Sequence, residues 1–417
     1  MIQRELSLDD SRYCNERLYL NEVTTKIKGF RTDLTAGSCQ EAAACSIITS
    51  ARKVNDGHCT NVLFTPAMIC VEDVTEKMFS ERGSMRDSLR NICERFVKDR
   101  DTVQEAFKWN CSTYLIPVCA VMLNGAKEPV SLAKLEECKK LLKTGVSTFS
   151  NFKGTAFPVL VTQLALDENP QERLRKAVLM HDLLKKPISS SAYLPMAAMV
   201  LSGMVAEERY PEVAERTGRI YKKMKAEHPF LTSAEDCVYA GLMALSEQED
   251  DQLIRAAEEC YQLLKEKFYA NANQSLSHVL ALCEGSAGSK CRAVFDLYYG
   301  LREKKYKYGN NYELATLGVL ALLPQGKTAI MADMIEIDAW LSAQKGYGFF
   351  GLGKRQRLMH AGMLLVNELL ENEQLEQKEL YMNVATNSAV SMVIAAQQAA
   401  MCAAVSATVA AQTSAAT

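Results

Sequence analysis

Apolar segments recur along this chain, each opened by an aromatic residue and followed by a charged amphipathic stretch, and that alternation limits the fold more than any other feature. "STYLIPVCAVML" (112–123) resembles "SAYLPMAAMVLS" (191–202), and "TAFPVLVTQLAL" (155–166) shares its form with "NYELATLGVLALL" (311–323). Tyr114, Phe157, Tyr193 and Tyr312 mark the starts, and Pro117, Pro158 and Pro195 fall at or near a first helical turn, where a missing N–H costs nothing. The intervening stretches, such as "VSLAKLEECKKLLKTG" and "YPEVAERTGRIYKKMKAE", carry apolar residues at three- and four-residue spacing. Several end in lysine, which suits the negative end of a helix dipole. "EDCVYAGLMALS" (235–246) and "SLSHVLALCEG" (275–285) fill their repeats less faithfully.

The unit is a helical hairpin of about 36–43 residues, in the range of stacked two-helix arrays. It predicts a buried helix, apolar all round, paired with a one-sided solvent-facing helix. The fold is therefore all-α, built of tandem helical hairpins. They stack either as an open α/α repeat array with a groove or as a closed α/α ring with a cavity, and the pattern does not choose between these. We divide the chain into an N-terminal helical unit (1–111), the hairpin repeats (112–371), and a C-terminal segment (372–417) that carries the Ala-rich run. In the first, "CQEAAACSIITSARKV" and "GSMRDSLRNICERFVKD" read as helices.

From Val384 to Thr417 no residue is charged and thirteen are alanine. Gln397, Gln398, Ser406, Thr408 and Gln412 interrupt the apolar run, which argues against a membrane span. Alanine favours helix, so the expectation is an Ala-rich helix with a frayed end, packed on the repeats or on a second copy of the chain. Truncation at Asn383 would then lower stability or shift the oligomer.

Hydrophobic residues make up 48%, charged residues 24%, and the net charge is −2. No global charge draws the chain to nucleic acid or anionic lipid, so both are disfavoured partners. The start, "MIQRELSLDDSRYCNERLYL", lacks the apolar core of a secretory signal. The fourteen cysteines are scattered with no Cys-x-x-Cys, as expected of buried thiols in a reducing cytoplasm. The five histidines are dispersed, without zinc-ligand spacing, so neither metal nor cofactor is expected.

Separate stretches in one order, "STFSNFKG", "FPVLVTQLALDENP", "SSAYLPMAAMVL", "HPFLTSAEDCVYAGLMAL" and "GFFGLGKRQRLMHAGMLL", with the tail "VIAAQQAAMCAA", resemble the bacterial family known as domain of unknown function 4003. The resemblance runs from about residue 100 onward. It implies a bacterial cytosolic protein and no assigned activity, so no site residue follows from it.

Two candidate sites come from the residues themselves. In "KGYGFFGLGKRQRLMHAG" (345–362), glycines spaced G-x-G-x-x-G lead into a helix, so that Gly351, Gly353, Lys354, Arg355 and Arg357 form a candidate anion site. The preceding segment reads as helix rather than strand, and Arg355 stands where a phosphate loop needs Ser or Thr, so a tight connection seating Phe349 and Phe350 is the better reading. In a ring, Glu235, Asp236 and Glu313 would gather at the cavity mouth as acid–base groups, although first-turn carboxylates also simply suit a helix dipole. "LYYGLREKKYKYGNNY" (297–312) interleaves tyrosine with cations, yet it is explained by a basic helix end followed by the aromatic start of the next repeat. The leading expectation is a non-enzymatic scaffold that binds a protein or peptide partner along a groove. The alternative is an α/α-ring enzyme or small-molecule binder.

Overall fold

The computed structural model describes residues 85–369, apart from short stretches at 109–110, 127, 149, 284, 312, 324 and 348–351. Among the described residues there are fourteen α-helices and no strand. They are α1 (Asp87–Phe107), α2 (Leu115–Asn124), α3 (Leu132–Gly145), α4 (Phe157–Ala165), α5 (Pro170–Leu184), α6 (Leu194–Met204) and α7 (Tyr210–Glu227). The second half holds α8 (Asp236–Ala244), α9 (Asp250–Leu264), α10 (Ala270–Ala281), α11 (Ala287–Glu303), α12 (Leu314–Ala321), α13 (Lys327–Ser342) and α14 (Lys354–Leu369).

Even-numbered helices are the apolar ones. Along α2, residues Leu115 to Val121 are all buried, and α12 is buried from Leu314 to Ala321. Odd-numbered helices bury one stripe, as α9 does with Leu253, Ile254, Ala257, Cys260 and Leu264. Pro158 and Pro195 sit in the first turns of α4 and α6, where their fixed φ starts the helix without losing a hydrogen bond. Each charged helix pairs with the apolar helix after it, giving seven hairpins, and the apolar helices also pack on one another in sequence. The helix α1 lies upstream of residue 112 and belongs to the first of these hairpins, in a compact body that begins at Gly83.

The array closes. α14 packs on both α1 and α2, and α13 packs on α1, so the seventh hairpin meets the first. Asn367 donates from Nδ2 to the carbonyl of Val121 at 2.8 Å, and Asn124 donates to the carbonyl of Ile92 at 3.0 Å. At the same seam, Arg86 pairs with Asp333 at 2.9 Å and with Glu368 at 2.8 Å. Because successive helices run in opposite directions, all seven inner helices begin at the same end of the ring. That rim carries Glu235, Asp236 and Glu313. Among the described residues no helix is long and apolar enough to cross a membrane. The Ala-rich segment lies outside the described residues, as do residues 1–84 and the helix expected at 39–54.

Candidate functional site

Inner helices are apolar because they are enclosed, and α10 departs from this. Six of its twelve residues, Asn271, Asn273, Gln274, Ser275, Ser277 and His278, are polar. Gln274 and His278 are one turn apart on one face and are 2% and 3% exposed. Burying an imidazole and an amide on a core helix is costly unless the neighbours supply partners.

The neighbours are at the start of α8. Nδ1 of His278 lies 3.2 Å from Oδ1 of Asp236, close enough to pair electrostatically, although off the line a hydrogen bond needs. Oδ2 of Asp236 accepts from the backbone N–H of Ser233 at 2.8 Å, which fixes the carboxyl group with its other oxygen toward the imidazole. Tyr239, one turn further along α8, places its ring 5.9 Å from that of His278. Gln274 donates from Nε2 to the hydroxyl of Thr232 at 3.0 Å, and Thr232 in turn donates to the carbonyl of Met224. The Gln274 Oε1 and Asn273 Oδ1 atoms are buried acceptors without a hydrogen-bond donor.

Glu235 sits beside Asp236 and receives hydrogen bonds from Ser233 and from Tyr193 at the start of α6. Burial and, second, the adjacent Asp236 charge push its carboxyl up to about 7, against the partial relief of those hydrogen bonds. Three consecutive inner helices thus contribute to one cluster: Tyr193 before α6, Glu235 and Asp236 at α8, and Gln274 and His278 on α10. A carboxyl poised near neutrality beside a carboxylate–imidazole pair can accept or donate a proton at pH 7.

Glu313 immediately precedes α12, is 4% exposed, and accepts from Gln356 of α14 at 3.2 Å. It shares the rim with Glu235 and Asp236, while its own contact is with α14. The glycine segment has a different outcome. Gly351 lies outside the described residues, whereas Gly353, Lys354 and Arg355 are exposed, with Arg355 reaching Asn310 at 3.4 Å. Arg357 forms a two-pronged pair with Asp338 of α13, at 2.8 and 2.7 Å, so its guanidinium is committed to the helix pairing. Upstream, α13 is helical, as expected of the segment before this loop. Tyr347 is buried with its hydroxyl 2.9 Å from Nδ1 of His360. In the tyrosine–lysine stretch, Tyr298 packs edge-on to Phe268 and Tyr308 is buried against Thr316, so these rings serve packing.

His278 and Gln274 were passed over in the sequence because a lone histidine on an apolar stretch reads as packing. The available signal was the poor fit of "SLSHVLALCEG" to its repeat. Among the described residues no three His, Cys, Asp or Glu side chains group as a metal site.

Residues 101–399 match the model of the family described as "Protein of unknown function (DUF4003)". The matched span contains every residue of the cluster. One similar protein is "Uncharacterized protein YeaA" of Bacillus subtilis (strain 168), 28% identical over 209 residues, which is 49% of this chain and 59% of that protein. The chain thus matches less than two thirds of that relative's length. No solved structure matches. With the family model spanning well over half of its length, the chain belongs to the DUF4003 family.

Proposed function

We propose that this protein binds a small molecule, with acid–base capability, at the rim of its helical ring where α6, α8 and α10 begin. The observation that carries this reading is the pairing of Asp236 with His278 beside a Glu235 carboxyl raised to about 7, all on core helices. A purely structural core has little use for these side chains, since burying polar groups with incomplete hydrogen bonding costs free energy. A scaffold needs an open concave face for a peptide, whereas these inner helices turn their surfaces on one another around a closed ring.

The cluster is rich in acceptors: Glu235, Asp236 and the free oxygen of Gln274. Its natural ligand is therefore rich in donors, a polyhydroxyl compound or an amine. Glu235 is the proton-transfer group, and Asp236 with His278 is the polar wall that holds its charge balance. A cytoplasmic location belongs to the same proposal and is supported by the eight cysteines of the described residues, all unpaired.

A thermal-shift screen of sugars, polyols and polyamines tests the reading, because a ligand at a hundredfold its Kd stabilises by about 2.7 kcal/mol. A hit whose shift vanishes in Glu235→Gln and His278→Ala supports it. Silence across all three classes, or hits indifferent to both substitutions, would sink it.

A partner-binding role has one observation in its favour. Phe230, in the loop before α8, is 98% exposed, and Tyr269 before α10 is 67% exposed. Exposed aromatics on loops at this rim are suited to docking a protein partner. Phe230→Ser should abolish such an interaction while leaving any ligand response of Glu235 intact.

A further inference from the structure

A second polar feature lies at the first two hairpins, remote in sequence from α8 and α10. A cavity of about 460 Å³ opens between the C-terminal end of α1, the start of α2, the face of α3 and the start of α4. Lys139, Lys143 and Lys153 all line it, with Phe107 and Phe157 as its apolar wall and Ser112 and Thr155 as its hydroxyls. Its volume suits a small metabolite.

Two of the lysines are held against aromatic rings. Lys139 and Lys143 are four residues apart, hence on one face of α3. The Lys139 ammonium lies 5.7 Å from the ring centroid of Phe107, and that of Lys143 lies 5.9 Å from the centroid of Phe157. The two rings meet edge to face at 6.4 Å. Lys139 also donates to the Ala106 carbonyl and to Glu136. Among the described residues, Lys143 and Lys153 have no carboxylate partner. The helix dipole accounts for Lys143 in the last turn of α3, but it does not account for Lys153, from a different element, turning to the same cavity. Three ammonium groups around one cavity, with one neighbouring carboxylate, repel one another until an anion enters.

We propose that this cavity is a binding site for a small phosphorylated molecule, with the phosphate held by Lys143 and Lys153 and the organic part against Phe157 and Phe107. Lys139, already tied to Ala106 and Glu136, shapes the wall. Ammonium groups bind phosphate as point charges, and the two hydroxyls add hydrogen bonds. The site is separate from the acceptor-rich cluster and stands whether or not that cluster binds a ligand.

Isothermal titration of the full chain with inorganic pyrophosphate at constant ionic strength tests the assignment. Saturable binding, weakened at least tenfold in Lys143→Gln/Lys153→Gln, retained in Lys143→Arg and unchanged in Glu235→Gln, is the expected result. Far-UV circular dichroism should find the double variant folded, since Lys143 is exposed and Lys153 half-buried. Absence of pyrophosphate binding, equal binding of succinate, or binding indifferent to the lysine substitutions overturns it.

Discussion

Glu235 keeps its proton to about pH 7 because burial beside Asp236 disfavours its charge. In the unfolded chain the same carboxyl titrates near 4.3, so the native state binds the extra proton between these values. Its contribution to stability is fully present below about pH 4.3 and is lost as pH rises through 7. Glu235→Gln should therefore flatten the decline in stability between pH 4.3 and 7, measured by urea titration, and stabilise the protein at pH 8 by about 2–3 kcal/mol. A stabilising substitution at a rim carboxylate is what a functional position predicts, since such positions trade stability for chemistry. His360 has the opposite sign. Burial holds its imidazole down to about 3, so its contribution is present above pH 6.5 and is lost as pH falls toward 3. His360→Leu should reduce the acid sensitivity in that window, at the cost of the Tyr347 contact. Glu235 and Asp236 were legible in the sequence as carboxylates at the start of an inner helix. Their partner His278 was not, because it is 42 residues away and only the packing of α8 against α10 brings it near.

At the scale of elements, patterning predicted helix identity well, since a helix enclosed on all sides must be apolar on all sides. The pairing of hairpins was less visible. The sequence suggests an apolar helix followed by its charged partner, yet each charged helix packs more extensively on the apolar helix after it than on the one before it. Outer helices also touch each other, and close approach there depends on small residues. On α7, a Cβ at Gly218 would fall 2.2 Å from Cβ of Pro187, in the loop after α5. A proline ring cannot swing aside as a long side chain does, so Gly218→Ala should force the two segments apart. The expected loss is about 1–3 kcal/mol, read from chemical denaturation, despite the higher helix propensity of alanine. A Tm equal to or above the parent's would mean that α7 shifts freely in its layer.

For the whole molecule, the decisive feature is closure between α14 and the first hairpin. In an open array the terminal hairpins have one neighbour each and fray first, whereas in a ring every hairpin has two. Asn367 joins the closure by its hydrogen bond to the Val121 carbonyl. Asn367→Leu leaves that buried carbonyl without its side-chain donor, and should cost about 1–3 kcal/mol while unfolding remains a single transition by circular dichroism and tryptophan fluorescence. Two separated transitions would show that the seam opens independently. The sequence by itself determined the all-helical class, the hairpin repeat and the division into buried and solvent-facing helices, because these follow from periodicity within about twenty residues. Tertiary structure alone decided that the array closes, that His278 meets Asp236, and that Lys153 joins Lys139 and Lys143. Those outcomes depend on small rotations between successive hairpins, which accumulate around the ring and leave no mark in any local pattern.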